Sequence, residues 1–308
     1  MRIFFSYCVD SQVIGDSMYN GGVKGHNELA RLLNQNGHEA YIVTYDGTYS
    51  KWMCEHQPVI SLEEAKRLGA DRYITSWVDA RAFIGIAPQI YLADWEPFYS
   101  HYMFNQRTVD LLNANKIKAV CVETRYEQAY WRAKHDIDAH IVPPFCDHKY
   151  WKALQFQNVD GGLGYFQEND SEGEVVRRIG ENLGLETVKM HGTEAEVIKQ
   201  LQSCDIYLCI NPGKDKFHCE GLARTCLEAM TCGCVVVAYD VGGNREFIID
   251  GYNGFIGEHS EKWMTEKVEL LMKNPFRKKQ LRDRSLEYAS SAFTEERTWK
   301  ELKRFLEL

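Results

Sequence analysis

Residues 205–239, DIYLCINPGKDKFHCEGLARTCLEAMTCGCVVVAY, contain two short apolar runs separated by a helical pattern. The runs are Asp205–Ile210 and Cys234–Tyr239, and each has the length of a buried strand. Between them, the spacing of apolar residues in Gly221–Cys232 predicts a helix that Gly233 ends. Two continuous apolar strands joined by a helix are typical of a parallel sheet that is covered on both faces.

The same alternation continues on both sides of this stretch. Further strands are predicted at Arg2–Cys8, Glu39–Thr44, Arg72–Trp77, Gln89–Ala93, Lys118–Glu123, His140–Val142, Gly162–Phe166 and Glu186–Met190. Further helices are predicted at Gly22–Asn36, Leu62–Leu68, Gln106–Asn115, Tyr126–His135, Ser171–Leu183, Glu194–Cys204, Glu261–Lys273, Pro275–Ser290 and Glu295–Leu308. After Gly254 the chain is predicted to be helical to its end. The fold class is therefore α/β.

The length of the chain and a break in the strand pattern at a proline pair predict two domains. The chain has 308 residues, against roughly 100–200 residues per domain. Pro143-Pro144 ends the first series of strands, and the pattern restarts after residue 160. We expect an N-terminal Rossmann-like domain at 1–150 and a C-terminal one at 151–308, both doubly wound. Ligands bind at the carboxyl ends of such strands, so we expect a central cleft that the two domains face.

Composition excludes several classes of protein. With 36 Lys and Arg against 44 Asp and Glu, the net charge is −8, which gives no basic surface for nucleic acid and little attraction to anionic lipid. No apolar run approaches the roughly 20 residues that cross a bilayer, and Asp10 interrupts any export signal. The ten cysteines form no CxxC pair, which indicates reduced thiols. We expect a cytoplasmic protein whose membrane contact is at most peripheral.

The start of the helix predicted at Gly221 offers an anion site. Its first backbone N–H groups have no partner within the helix, and the helix dipole is positive there. Such a start suits a diphosphate. Glu220 and Glu228 are eight residues apart, or about 12 Å along a helix, so one carboxylate can meet a sugar and the other a ribose. Alternatively, Glu220 is a helix cap and Glu228 faces solvent, although the apolar neighbours of Glu228 argue against exposure.

The longer stretch Phe217–Phe255 resembles the motif of retaining GT-B glycosyltransferases of glycosyltransferase family 4, also called group 1. The motif is approximately E-G-F-G-L-x-x-L-E-A-M-A-x-G-x-P-V-V-A-x-D-x-G-G-x-x-E-x-I-x-D-G-x-N-G. The matching residues are Glu220, Gly221, Leu227, Glu228, Ala229, Met230, Gly233, Val236, Val237, Ala238, Asp240, Gly242, Gly243, Glu246, Ile248, Asp250, Gly251, Asn253 and Gly254.

The resemblance implies a role for each part of the site. Glu220 would contact the donor sugar and Glu228 the ribose of a UDP- or GDP-sugar. The diphosphate would lie on the amides of Gly221, Leu222 and Ala223, and the base near residues 188–193, which include His191 and Gly192. The family's glycine-rich N-terminal loop corresponds to Gly21, Gly22 and Lys24, which would form a wall of the cleft; otherwise the glycines make a turn.

The chain departs from the family in two places. The Arg and Lys that usually follow the first strand of the second domain are absent from GLGYFQENDSEGEV. Arg224 would then neutralise the leaving diphosphate, with Lys24, Lys214 and Lys216 as further candidates; alternatively, all four are solvated surface charges. The second departure is the segment that follows QIYLAD. There, Glu96 would orient the acceptor beside Asp94 and His101, unless this segment is a packed aromatic loop.

Taken with the residues, the resemblance implies a retaining hexosyl transfer from UDP-glucose or a related UDP-sugar to a carbohydrate or lipid-linked sugar acceptor, in polysaccharide or glycoconjugate synthesis. It implies UDP as a product, no further cofactor and no metal. The final helix, 293–308, would cross back onto the first domain, or else pack on its own domain. A catalytically silent nucleotide-sugar-binding subunit is the alternative. A nicotinamide dehydrogenase is disfavoured because no G-x-G-x-x-G follows a strand.

Overall fold

The computed structural model describes residues 1–6, 21–76, 86–95, 114, 116–152, 161–166, 170–210 and 222–308. These residues form two compact units. The first consists of Met1–Pro144 together with Glu295–Leu308, and the second of Phe145–Thr294. Each unit is built on one sheet in which every described strand pair is parallel.

Within the described residues, the first unit has a seven-stranded sheet in the order β3-β2-β1-β4-β5-β6-β7. The strands are β1 (Arg2–Ser6), β2 (Glu39–Thr44), β3 (Val59–Ser61), β4 (Arg72–Thr75), β5 (Gln89–Ala93), β6 (Ile117–Val122) and β7 (His140–Ile141). The helices are α1 (Gly21–Gln35), α2 (Leu62–Leu68), α3 (Arg125–His135) and, from the end of the chain, α9 (Glu295–Leu306). The central strands are buried over most of their length, which explains their continuous apolar sequences.

The second unit has a five-stranded sheet over its described residues, in the order β12-β11-β10-β8-β9. Its strands are β8 (Gly162–Tyr165), β9 (Thr187–Lys189), β10 (Cys204–Cys209), β11 (Val235–Tyr239) and β12 (Gly254–Gly257). Its helices are α4 (Asp170–Leu183), α5 (Glu194–Gln202), α6 (Arg224–Cys232), α7 (Glu261–Lys273) and α8 (Pro275–Ala292), with a 3₁₀ helix at Gly242–Glu246. One core packs the sheet against α4, α7 and α8 and includes Leu163, Val176, Ile179, Leu208, Val237, Met264, Val268 and Leu281.

The last helix, α9, packs within the first unit. Arg31 Nη2 of α1 donates a hydrogen bond of 2.8 Å to Glu295 Oε1. The rings of Tyr91 and Phe305 meet edge to face at 5.1 Å, and Leu302 is fully buried. The apolar stripe of this helix is therefore used in the core of the first unit.

The α/β prediction with two parallel sheets is confirmed. Two strands, β3 and β12, were not predicted, and the helix predicted from Gly221 begins at Arg224. The glycines of β12 explain why that strand was missed. A Cβ at Gly254 would lie 2.8 Å from the Val236 carbonyl oxygen, and one at Gly257 would lie 2.5 Å from the Trp263 ring. These glycines allow close packing inside a strand, whereas in sequence they indicate a turn. The helix predicted at Gln106–Asn115 lies almost wholly outside the described residues.

Candidate active site

Helix α6 has no side-chain cap at its N-terminus. The residue at the N-cap is Ala223, which has no side-chain oxygen, and the first turn carries no acidic residue. By contrast, five other helices have caps that accept a hydrogen bond from a first-turn amide; the caps are Ser61, Thr124, Thr193, Ser260 and Asn274. The positive end of the α6 dipole is therefore not neutralised by a cap, which is a suitable arrangement for an anionic ligand.

The start of α6 differs from the predicted helix start, whereas the predicted diphosphate donors stay a prediction. Ala223 has ψ of 83°, which is not helical, so the α-helix begins at Arg224 and not at Gly221. The Arg224 N–H donates to the Leu222 carbonyl oxygen at 2.9 Å and is used within the chain. Of the predicted diphosphate donors, Leu222 and Ala223 lie in the short segment before the helix, where both are buried.

Arg224 is the first residue of α6 and is only 9% exposed. A cation is disfavoured at the N-terminus of a helix, because the dipole repels it. A bound diphosphate would stabilise both the helix end and the guanidinium group. The position of Arg224 thus fits the role predicted for it, which stays a prediction.

Glu228 lies on the buried face of α6. It is 1% exposed, so the alternative of a solvent-facing carboxylate is wrong. Tyr207 of β10 is close to this part of α6, because its hydroxyl bonds the Thr225 side chain and Glu228 acts on its ionisation. Burial raises the pKa of the Tyr207 hydroxyl well above its ordinary value; Cys209 and Cys226 contribute next, and the Glu228 carboxylate contributes less. A buried carboxylate needs hydrogen-bond partners, and the contact of Glu228 with a ribose stays a prediction.

Asn244 lies at the carboxyl ends of β10 and β11, and the sequence did not reveal its burial. It lies in the 3₁₀ helix after β11 and is completely buried. Its Nδ2 donates to the Tyr239 carbonyl oxygen at 3.2 Å and to Cys209 Sγ at 3.7 Å, and so joins the carboxyl ends of β10 and β11. Its Oδ1 is buried without a hydrogen-bond partner among the described residues. The Gly-Gly-Asn sequence indicates a turn, but it gives no sign of this burial.

The loop after β9 contains His191 and Gly192, predicted to lie near the base. The His191 N–H donates to Gln200 Oε1 at 3.0 Å, and its carbonyl oxygen accepts from Gln200 Nε2 at 3.2 Å. Gly192 has φ of +93°, and a Cβ there would clash with Glu196 Oε2. That carboxylate accepts the Thr193 N–H at 2.7 Å in the capping box of α5. The start of α5 accounts for the glycine, and a base contact at this loop stays a prediction.

The N-terminal glycines do not form a loop. Gly21 and Gly22 are the first two residues of α1, and Lys24 follows in the same helix at 4% exposure. The helix predicted from Gly22 thus begins one residue earlier, and the alternative of a turn at these glycines is wrong, whereas their place in a wall of the cleft stays a prediction. The helical pattern extends to Gly21 because glycine can adopt helical dihedral angles, although at an entropic cost. All three residues belong to the first unit.

Several predicted residues lie outside the described part of the chain: Glu96, His101, Lys214, Lys216, Glu220 and Gly221. In the part that is described, no group of His, Cys, Asp and Glu side chains is arranged to hold a metal ion. The described cysteines are free thiols, and all except Cys54 are buried. No helix within the described ranges is long and apolar enough to cross a membrane.

Comparison with known proteins points to the same part of the chain. The family model described as glycosyl transferases group 1 matches residues 164–291, a range that runs from β8 into α8 and contains α6. A stretch of 71 residues is 35% identical to an uncharacterized glycosyltransferase of Methanocaldococcus jannaschii. That match covers 23% of this chain and only 20% of the length of the relative.

The solved structures that resemble the whole chain include the following two. Sucrose-phosphate synthase from Thermosynechococcus elongatus has a TM-score of 0.75 at 13% identity and covers 99% of this chain and 98% of its own. HepE of Anabaena, in complex with UDP-glucose, has a TM-score of 0.72 at 14% identity and covers 100% of this chain and 99% of its own. The protein has the GT-B fold. The residues that match the model of the group 1 glycosyl transferases lie within its second unit.

Proposed function

We propose that the protein is a retaining glycosyltransferase that moves a hexose from a UDP-sugar, with UDP-glucose as the first candidate, to a carbohydrate or lipid-linked sugar acceptor. The observation that carries the proposal is the uncapped start of α6, next to Arg224 and followed by the buried Glu228. This arrangement lies within the range matched by group 1 glycosyl transferases. The UDP-glucose complex of the similar HepE structure supports the choice of donor.

In the proposed complex, the donor diphosphate lies over the amides before α6, on the positive end of its dipole. Glu228 accepts hydrogen bonds from the ribose hydroxyls, and Glu220 orients the hexose. The bond between the anomeric carbon and the β-phosphate oxygen breaks, and a bond to the acceptor oxygen forms on the same face of the sugar. The acceptor proton passes to the departing phosphate oxygen, and Glu96 orients the acceptor hydroxyl.

The rate in this scheme depends on positioning and on charge. The leaving UDP gains negative charge in the transition state, and groups already aimed at that position stabilise it without reorganisation. The dipole of α6 and the guanidinium of Arg224 are proposed for this task. They take the place of the basic pair that is missing after β8. We propose that transfer needs no metal ion and no further cofactor.

A panel of UDP-, GDP- and ADP-sugars tests the proposal. The expected result is that UDP-sugars selectively raise the melting temperature, because a ligand that binds only the folded state stabilises it. Slow release of UDP from the same donor, unchanged by a chelator and lost in Glu220→Ala, is expected next. Retention is tested by the anomeric configuration of the product in NMR spectra. Stabilisation without UDP release for any acceptor would favour the silent binding subunit, and no stabilisation by any donor would reject both.

A further inference from the structure

The second unit has an exposed apolar corner at the junction of α7 and α8. We define this corner by the large aliphatic and aromatic side chains that are exposed in the described part of the unit: Ile249, Tyr252, Leu270, Met272 and Phe276. They come from the turn before β12, the last turn of α7 and the first turn of α8. Single apolar residues are usual on a protein surface, whereas a group gathered at one place indicates an interaction site.

Hydrogen bonds hold the three segments of the apolar corner together. Arg277 Nη2 donates to the Gly251 carbonyl oxygen and so joins the first turn of α8 to the turn before β12. That turn is fixed internally, because the Ile249 N–H donates to Oδ1 of the completely buried Asn253 at 2.8 Å. Asn274 lies between α7 and α8, and its Oδ1 accepts the Arg277 N–H at 3.0 Å. A corner fixed in this way loses little conformational freedom on binding.

Phe276 protrudes from the corner. It is the second residue of α8 and is 79% exposed, more than any other large apolar side chain in the described part of the chain. A ring this exposed at the start of a helix does not line a groove. A rigid protein partner would need a matching pocket for it, whereas the interface of a lipid bilayer is soft and accepts aromatic and aliphatic side chains without one.

Two arginines beside these side chains carry charges that no described carboxylate neutralises. The Arg277 guanidinium donates to the Gly251 carbonyl oxygen and to the Gln280 side chain, both of which are uncharged. The Arg284 guanidinium lies 4.7 Å from the centre of the Tyr252 ring and forms no ion pair among the described residues. A guanidinium group can bind a phosphate group through two parallel hydrogen bonds, so this pair suits phospholipid headgroups.

The other charges around the corner nearly cancel. Two lysines pair with acidic residues one turn away on the same helix, Lys273 with Glu269 and Lys279 with Asp283. Asp250 is exposed in the turn before β12 and opposes one of the two arginines. The local excess of positive charge is therefore small, on a chain whose net charge is −8. Apolar insertion must supply most of any binding to a membrane, and the arginines add to it.

We propose that the apolar corner docks on the surface of a phospholipid membrane. Leu270, Met272 and Phe276 enter the boundary between headgroups and acyl chains. Tyr252 lies at the level of the headgroups, where Arg277 and Arg284 bind lipid phosphate groups. This inference goes beyond the proposed function and does not depend on it, because a membrane contact requires neither donor nor acceptor.

Co-sedimentation of the full chain with lipid vesicles tests the proposal. Vesicles of phosphatidylcholine mixed with phosphatidylglycerol should bind the protein more tightly than vesicles of phosphatidylcholine alone. Phe276→Ser should lower the binding constant about tenfold on both, because the insertion of the ring is lost. Arg284→Gln should lower it about fivefold, mainly on the vesicles that contain phosphatidylglycerol. Hydrogen exchange in the presence of vesicles should slow at residues 249–253 and 270–280.

The matched controls are Tyr45→Ser, at a 66% exposed side chain of the first unit, and Lys262→Gln, at an exposed position in the first turn of α7. Both should leave vesicle binding unchanged. A native chain that binds neither kind of vesicle, unaltered binding in Phe276→Ser, or protection confined to the first unit overturns the proposal. Self-association of the native chain that Phe276→Ser removes, without any vesicle binding, would also overturn it and identify the corner as a protein interface.

Discussion

At Glu228, one substitution can separate the effect of a buried charge from the effect of filling buried space. Glu228→Gln keeps the shape of the side chain and removes a buried charge. We expect the variant to fold, because glutamine fills the same buried space and can still form hydrogen bonds. UDP affinity should fall about tenfold or more, since hydrogen bonds to charged groups contribute about 1.5–3 kcal/mol. Isothermal titration calorimetry measures the loss.

The matched control is Glu266→Gln, at an exposed position on α7 of the same unit. It should leave the affinity for UDP unchanged. If Glu228→Gln binds UDP as tightly as the native protein, the ribose contact is wrong, and Glu228 is a structural residue of α6.

His26 should make the stability of the first unit depend on pH. Its pKa is lowered by burial from 6.5 to about 3. Between these values the unfolded chain binds a proton that the folded chain does not, so the stabilising contribution is complete above pH 6.5 and is lost as the pH falls. The slope is about 1.4 kcal/mol per pH unit. Urea unfolding at pH 6.5 and 5 should show a loss about 2 kcal/mol larger in the native protein than in His26→Gln.

The exposed His148 supplies the control for this experiment, because His148→Gln should keep the native pH dependence. Equal slopes for native protein and His26→Gln would show that His26 takes up its proton in the folded state.

At the scale of the element, a cap introduced at the N-terminus of α6 should raise the stability of the protein and lower its affinity for UDP. Ala223→Ser introduces a side-chain oxygen at the N-cap, and such a cap is worth about 0.5–2 kcal/mol. We expect the free energy of unfolding without ligand to rise by about 1 kcal/mol. The affinity for UDP should fall several-fold, because the serine oxygen competes with the diphosphate for the same N–H groups. Urea unfolding and calorimetry measure the two effects.

An existing cap can be removed from helix α7, where Ser260 Oγ accepts the Trp263 N–H at 3.3 Å. Ser260→Ala should lower stability by about 1 kcal/mol without changing the affinity for UDP. Tighter UDP binding in Ala223→Ser would place the diphosphate away from the α6 terminus.

The boundaries of the elements show what the sequence can predict. Leu62–Leu68, Glu261–Lys273, Glu39–Thr44 and Gln89–Ala93 have the predicted limits, because caps, periodicity or a continuous apolar run mark them locally. The glycine strand β12 could not be predicted, since the reason for its glycines is the packing of distant residues. The three-residue β3 is too short for a periodic pattern.

In the candidate site, too, some features were predicted from the sequence and others were not. The motif around Glu228 was visible in the sequence, and the apolar neighbours of this residue correctly predicted its burial. The contacts of Tyr207 and Asn244 were not predicted, because strand order brings their elements together over long separations in sequence. The helix predicted from Gly22 begins one residue earlier, at Gly21, because glycine can adopt helical dihedral angles.

At the scale of the whole molecule, the last fourteen residues, 295–308, belong to the first unit although they follow the second in sequence. Leu302 of α9 and Leu281 of α8 are both fully buried leucines, one in each unit. Truncation of either to alanine should cost about 2–5 kcal/mol, because a cavity replaces the side chain. The effects should nevertheless be found in different parts of the chain.

Hydrogen exchange measured by mass spectrometry separates the two cases. Leu302→Ala should speed exchange in the first sheet, at β5, because Tyr91 of β5 packs on Phe305 of the same helix. Leu281→Ala should instead speed exchange in β10 and β11, whose side chains share its core. Leu302→Ala should also leave the amides of α6 protected and the affinity for UDP unchanged. Faster exchange confined to the second sheet in Leu302→Ala would contradict the assignment of α9 to the first unit.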